Sequence, residues 1–300
     1  MSKGKVEVKI ACDTVAGIGE GAIWDYKNNR LLWIDTQGSV FIYTPKDGKN
    51  KEIKLEKAVG TVVPCEKNLV IVALKDGIYE LDLEKEKLSL LCVPEKPPKE
   101  NNKYNDGKCD SKGRLWVGTM DINTAKGQGG FYRVNGKGEY QQFLSEVSVS
   151  NGVCWSLDDE KMYYQDSPLK TVSAFDFDAK KGVISEREEV IKVPKDMGDP
   201  DGNTLDATGM IWMANWGGAC VSKWNPHTGQ MLQKVDVPAY NVTSVAFGGE
   251  NLEDLYITTA SLYMPDDKVD LYPDAGKLFV CTPGVKGIRA NYFAREEEED

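Results

Sequence analysis

Short apolar runs of strand length recur along the whole chain, and each is closed by a turn signal. Residues 69–74 form one continuous run, whereas Val6, Val8 and Ile10 alternate with charged residues. Both patterns are typical of β-strands, the first buried and the second half exposed. Pairs such as Asp76-Gly77 favour tight hairpins between the strands. Helical periodicity is weak throughout, so the pattern predicts an all-β protein.

One longer pattern returns six times along the chain. Each copy has a polar residue near a glycine, a short β-prone run, a turn and a second apolar run, most clearly in residues 200–218. The copies begin at positions 20, 61, 105, 151, 201 and 243. Their spacing of about 40 to 50 residues is the period of a four-stranded propeller blade. The repeat predicts a six-bladed β-propeller of four-stranded antiparallel blades, forming a single domain over residues 1–300. The alternating strand near Val8 is predicted to pair beside the C-terminal strands and close the ring.

The first residues of the six copies are predicted to face one another around the central channel, because a propeller arranges equivalent positions in a ring. They are Glu20, Thr61, Asn105, Asn151, Asp201 and Thr243. A buried ring of carboxylate and carboxamide oxygens costs several kcal/mol unless something satisfies it. A hard divalent cation would do so. Glu20, Asn151 and Asp201 form a set of ligands that suits Ca²⁺, with Mg²⁺, Mn²⁺ or Zn²⁺ as alternative occupants.

The amino-acid composition excludes several classes of partner and cellular location. Lys and Arg number 37 against 47 Asp and Glu, for a net charge of −10, which argues against a nucleic-acid partner. No apolar run approaches the ~20 residues of a membrane helix, and the start of the chain lacks an apolar signal core. Seven cysteines without a pairing pattern fit a reducing compartment. We therefore expect a cytoplasmic protein with no membrane partner. Residues 266–274 and the acidic residues 296–300 are expected to form solvated loops.

Several catalytic mechanisms are excluded by the residue inventory. His227 is the single histidine and lies in a turn, so a Ser-His-Asp triad and a histidine-rich zinc site are both ruled out. Residues 17–22 match a dinucleotide-binding pattern, but a turn and a strand follow where a helix is required. Cys109 and Cys154 are interpreted as core residues. Metal-assisted chemistry remains, since an incompletely ligated ion can polarise a carbonyl or phosphoryl oxygen. The alternative is an ion that only holds the propeller axis together.

A set of motifs extends this interpretation. They are Gly19-Glu20-Gly21, Asn105-Asp106-Gly107-Lys108, Gly118-Thr119-Met120, Ser150-Asn151-Gly152, Pro200-Asp201-Gly202 and Val242-Thr243-Ser244. In their order and spacing they resemble the SMP-30/gluconolactonase family, which includes regucalcin and luciferin-regenerating enzyme. The resemblance implies one divalent ion held by Glu20, Asn151 and Asp201, and hydrolysis of sugar lactones. It also implies that Asn105 binds substrate hydroxyls and that Asp201 is the usual candidate for the general base, with a metal-bound water as the alternative.

Two positions depart from the family pattern. Lys103 stands where regucalcin has Arg, which removes a planar bidentate donor. Asn123 stands where regucalcin has Glu, and Asp121 is a nearby substitute. We expect Lys103, Asn105, Asp121 and Asn123 to contact a small-molecule lactone, in a protein that is a monomer or weak homodimer. A hydrolase for another substrate class, such as phosphotriesters or a luciferin-related compound, stays open, as does a non-catalytic calcium-binding propeller.

Overall fold

The computed structural model describes residues 6–295 and consists of six four-stranded antiparallel sheets. Strands are numbered in chain order. Blade 1 contains β2 (Gly19–Asp25), β3 (Arg30–Asp35), β4 (Ser39–Thr44) and β5 (Lys49–Lys54). Blade 2 contains β6 (Val59–Glu66), β7 (Leu69–Leu74), β8 (Gly77–Asp82) and β9 (Lys87–Cys92). Blade 3 contains β10 (Asn102–Cys109), β11 (Leu115–Asp121), β12 (Gly129–Val134) and β13 (Tyr140–Val147).

The second half of the chain repeats the arrangement. Blade 4 contains β14 (Ser150–Trp155), β15 (Lys161–Asp166), β16 (Thr171–Asp178) and β17 (Val183–Lys192). Blade 5 contains β18 (Asp199–Leu205), β19 (Ile211–Trp216), β20 (Cys220–Trp224) and β21 (Met231–Asp236). Blade 6 contains β22 (Asn241–Gly248), β23 (Asp254–Ala260), β24 (Leu278–Cys281) and β1 (Val8–Cys12). The prediction of six four-stranded blades is confirmed.

The ring is closed by the two ends of the chain. Strand β1 is the outermost strand of blade 6 and pairs with β24, with Val8 opposite Cys281. The predicted closure by N- and C-terminal strands is therefore confirmed. The innermost strands of neighbouring blades contact one another around the whole ring. The terminal residues 1–5 and 296–300, which include the acidic tail and the ends of the predicted single domain, lie outside the described residues.

The same kind of hairpin turn follows the inner strands of blades 3 and 5. It lies at the opposite end of each strand from the residue that begins the repeated sequence pattern. Asp110 accepts hydrogen bonds from the backbone of its own turn and, at 2.9 Å, from Nε1 of Trp116. Asp206 makes the same contacts in blade 5, again reaching the indole six residues on at 2.9 Å. Each buried carboxylate is paired, Asp110 with Arg114 and Asp206 with Lys223, both at 2.7 Å. The short Asp-turn-Gly segments thus form hairpins because their side chains satisfy the turn backbone.

The core lies between the blades. Trp116 and Trp212 occupy matching positions on second strands, opposite Lys108 and Thr204. Both are fully buried, as is Trp33 on β3, and aromatic and aliphatic side chains pack around all three. All seven cysteines are free thiols, and Cys109 and Cys154 are buried, as predicted. The single α-helix among the described residues, α1 (Asp266–Val269), is one turn within the segment predicted to be a loop. Within residues 6–295 no helix has both the length and the apolar character needed to cross a membrane.

Candidate active site

Every inner strand carries a β-bulge at the position where the repeated pattern begins. The register shifts between Glu20 and Ile23 in blade 1 and between Asn151 and Val153 in blade 4. The other four inner strands shift at the equivalent place. A bulge leaves the extra residue unpaired and redirects its side chain. Six bulges at one level of the channel therefore release polar side chains from the sheets at one mouth of the propeller.

Four of the six bulges share the same local hydrogen bond. In each, a side-chain oxygen accepts from the backbone N–H of the glycine that follows. The acceptors are Glu20 at 3.0 Å, Asp106 at 2.8 Å, Asn151 at 3.2 Å and Asp201 at 3.0 Å. All four side chains are buried. The bond orients one oxygen of each group. Gly21 and Gly152 have positive φ angles, +59° and +23°, which are unfavourable for other residues. At Gly107 and Gly202 a Cβ would lie within 2.7 Å of the Trp116 carbonyl and the Ser244 hydroxyl.

Glu20, Asn151 and Asp201 lie together, because the Asp201 carboxyl is hydrogen bonded to both of the other side chains. Burial raises the pKa of Glu20 to about 8, with a further contribution from the charge of Asp106. Burial also raises the pKa of Asp201, and the neighbouring charges of Glu20 and Asp106 add to the effect. Two carboxyls that share a hydrogen bond must retain a proton between them. A cation at this position would replace that proton.

Asp106 is the member of the ring that sequence reasoning missed. The prediction placed Asn105 at this position, whereas the Asp-Gly hydrogen bond belongs to the next residue. The second oxygen of Asp106, Oδ2, is buried and has no hydrogen-bond partner among the described residues 6–295. The available signal was local: a carboxyl or carboxamide residue directly followed by glycine occurs at Glu20, Asn151, Asp201 and Asp106 alike. Asn105 instead donates from Nδ2 to the carbonyl of Ser150 in blade 4, at 2.8 Å.

The two threonines predicted to complete the ring join neighbouring blades. Thr61 donates to the carbonyl of Gly107 at 2.9 Å, which connects blade 2 to blade 3. Thr243 donates to the carbonyl of Gly19 and so connects blade 6 to blade 1. The side chain of Gln165 in blade 4 donates to the carbonyl of Asp201 at 2.5 Å. These bonds fix the inner strands relative to one another, and the buried carboxyls are held by that rigid ring.

Lys103 lies beside the carboxyl pair. Burial lowers the pKa of its ammonium group, while the charges of Glu20 and Asp201 act in the opposite direction. Asp121 is buried, and its Oδ1 accepts from the backbone N–H of Asn123 at 2.8 Å and of Ala125 at 3.3 Å. Asn123 is exposed on the loop after β11. The structure thus places Lys103 in the site, whereas Asp121 caps the loop that carries Asn123.

The donor set is compatible with a hard cation. It contains two carboxyls and a carboxamide, and oxygen ligands of this kind are those that Ca²⁺ prefers. The carboxyl of Asp106 lies close enough to contribute to the raised pKa of Glu20 and adds a further oxygen-bearing side chain near the cluster. Within residues 6–295, no three His, Cys, Asp or Glu side chains form a metal-binding cluster. Such a cluster is not required here, because one of the three predicted ligands is an amide. His227 is exposed on its turn, in agreement with its assignment to the surface.

These features define a class: a six-bladed propeller with a cluster of buried acidic and amide side chains at one mouth of its channel. The chain belongs to the family described as SMP-30/Gluconolactonase/LRE-like, whose match covers residues 18–261. The resemblance inferred from the motifs is therefore confirmed. The family indicates a gluconolactonase-like or regucalcin-like protein.

Similar proteins cover almost the entire chain. A Bacillus subtilis protein named as a candidate sugar lactone lactonase, YvrE, is 37% identical over 96% of this chain and 99% of its own length. Luciferin-regenerating enzyme has a solved structure with a TM-score of 0.91 and 30% identity, covering 96% of this chain and 99% of that one. The calcium-binding protein regucalcin of Agrobacterium tumefaciens also has a TM-score of 0.91, with 25% identity over 96% of this chain and 98% of that one.

Proposed function

We propose that the protein is a divalent-cation-dependent lactonase that hydrolyses sugar lactones, with Ca²⁺ as the preferred ion. The observation that supports this most directly is the contact among Glu20, Asn151 and Asp201 beside Lys103. The family and the lactonase name of the Bacillus relative favour the same reaction. Glu20, Asn151 and Asp201 would hold the ion. When bound, the ion would supply Lewis acidity toward the lactone carbonyl.

The protein groups have separate roles in this proposal. Asp201 is the catalytic base that removes a proton from the attacking water, because it is buried next to groups that restrict its orientation. The Lys103 ammonium donates hydrogen bonds to substrate hydroxyls. Asn105 presents its Oδ1 to the substrate while its Nδ2 is held by Ser150. Asp121 positions the loop on which Asn123 is exposed to the substrate.

The test measures initial rates of D-glucono-1,5-lactone hydrolysis, followed by acid release, with added Ca²⁺ and with chelator. Asp201→Ala should abolish turnover, and Glu20→Gln should raise the Ca²⁺ concentration needed for half-maximal rate. Asp176→Asn, on the exposed side of blade 4, is the matched control and should behave like the wild type. Full lactonase activity of Asp201→Ala in the presence of Ca²⁺ would refute the assignment of the base.

Assays of the same purified protein with other substrates distinguish the lactonase from the alternative functions. Phosphotriester hydrolysis without lactone hydrolysis would indicate another substrate class at the same site, and turnover of a luciferin-related compound would do so as well. Calcium binding by titration calorimetry with no turnover of any of these substrates would indicate a non-catalytic calcium-binding propeller, as many propellers lack catalysis.

A further inference from the structure

A cavity, here called the lower cavity, lies at the opposite end of the inner strands from Glu20. Its volume is about 320 Å³, and its wall includes the ends of inner strands. Trp24 ends the wall in blade 1, Trp155 in blade 4, and Phe247 contributes from blade 6. Trp24 is four residues beyond Glu20 on β2, which corresponds to about 13 Å along a strand. The volume is within the range of small-molecule pockets, roughly 300 to 1,000 Å³.

The C-terminal segment covers one side of this cavity. Residues 284–294 cross the face of the propeller, and residues 288–291 line the cavity. The segment is tied to four blades. Gly287 bridges Asp206 and donates to the carbonyl of Leu252 at 2.8 Å, Phe293 donates to Pro64 at 2.8 Å, and Ala294 donates to Gly113 at 3.0 Å. The cavity wall is therefore built by ordered backbone contacts.

A lysine separates this cavity from the acidic site. Lys108, on β10 of blade 3, extends to donate a hydrogen bond to the carbonyl of Asn203 on β18 of blade 5. It lies two residues beyond Asp106 along the strand and lines the cavity. The contact joins blades that are not adjacent in the ring, so the Lys108 side chain crosses the channel between the lower cavity and the acidic site. A ligand in the lower cavity would not compete with one at Glu20 and Asp201.

The lining of the cavity specifies the chemistry of a ligand. Its charged lining residues are Lys108 and Arg289, both cationic, and Asp159. This excess of positive charge stands out in a protein whose net charge is −10. The indole nitrogens of Trp24 and Trp155 are buried and have no hydrogen-bond partner in the described part of the chain. Aromatic and aliphatic side chains form the remaining wall.

We propose that the lower cavity is a second ligand site, which binds a compact apolar or aromatic molecule carrying one carboxylate. The apolar part packs against Trp155 and Phe247. The carboxylate faces Arg289, whose guanidinium lies over the ring of Tyr26 at 4.9 Å and is exposed at the entrance. The proposal rests on this cavity alone and does not depend on the lactonase activity.

The experiment uses 4-phenylbutyrate as the probe and the uncharged 4-phenylbutanol as its matched analogue. Binding is measured by titration calorimetry and by tryptophan fluorescence, because two indoles line the cavity. Arg289→Gln should weaken binding of the carboxylate about tenfold, the effect expected for loss of a charge-assisted contact. Leu157→Trp, at an exposed position on the rim, should block both probes. Arg295→Gln removes a positive charge directly after the same C-terminal segment, outside the cavity, and should leave binding unchanged.

Four results would overturn the proposal. The first is absence of probe binding to the full-length protein. The second is equal affinity for the carboxylate and the alcohol. The third is equal binding by the wild type, Arg289→Gln and Leu157→Trp, which would place the probe elsewhere. Binding that persists unchanged when Ca²⁺ is replaced by chelator is expected. Competition with gluconolactone would instead assign the probe to the acidic site at Glu20 and Asp201 and would overturn the proposal.

Discussion

Replacing Glu20 with glutamine should make the cation-free protein more stable at neutral and alkaline pH. Burial raises the pKa of Glu20 from 4.5 to about 8. The unfolded chain therefore releases this proton at lower pH than the folded protein does. Between these two pKa values the folded state binds more protons, so the free energy of unfolding falls as pH rises. Glutamine has the same shape as glutamate and still offers an oxygen that accepts from the Gly21 N–H, but it has no ionisable carboxyl group.

The magnitude follows from the size of the shift. At 1.36 kcal/mol per pH unit, the loss for the wild type is about 3 kcal/mol between pH 4.5 and 7, and about 5 kcal/mol at pH 8 and above. The part of the loss that comes from Glu20 should be absent in Glu20→Gln, so the free energy of unfolding should fall less steeply with pH, and the remaining slope arises from buried Asp201. Added Ca²⁺ at 100 times its Kd should stabilise the binding-competent wild type by about 2.7 kcal/mol, which nearly cancels its deficit of about 3 kcal/mol at pH 7.

Urea unfolding of both proteins at pH 5, 7 and 8.5, with chelator and then with Ca²⁺, measures these differences. Glu52→Gln, on the outer strand β5, is the control because the same substitution there removes an exposed carboxylate. The reasoning is refuted if Glu20→Gln retains the pH slope of the wild type in chelator, since the slope would then arise from other groups.

Three further substitutions test the ring and its supports. Asp206→Ala should lower the free energy of unfolding in urea by about 3–5 kcal/mol, because the buried ammonium of Lys223 loses its partner. Gly152→Ala should cost about 1–3 kcal/mol by the same assay, since the new Cβ would lie 2.0 Å from Nε2 of Gln165. Lys103→Met should raise the KM for gluconolactone about tenfold with a smaller change in kcat, if the ammonium binds substrate hydroxyls. If Asp206→Ala or Gly152→Ala were as stable as the wild type, the structural role given to that residue would be wrong. An unchanged KM of Lys103→Met would contradict the binding of substrate hydroxyls by Lys103.

The number of blades could be predicted because the sequence contains six copies of one repeated pattern. Short apolar runs and turn residues are local signals, and each Asp-turn-Gly hairpin satisfies its own backbone through contacts within a few residues, as at Asp110 and Asp206. The pairing of β1 with β24 was also predictable, since an unpaired terminal strand has a defined place in a closed propeller. The family followed from motifs whose order and spacing are properties of the sequence.

Tertiary structure decided which polar residues share the site. The choice between Asn105 and Asp106 depends on the bulge in β10, because one extra residue moves the next side chain to another face. The raised pKa of Glu20 requires carboxyls brought from three different blades into one buried place. The bond from Lys108 to Asn203, which spans the channel, likewise joins positions 95 residues apart. Strand patterns follow from local periodicity, whereas charges and cavities depend on distances that are set only when the ring closes.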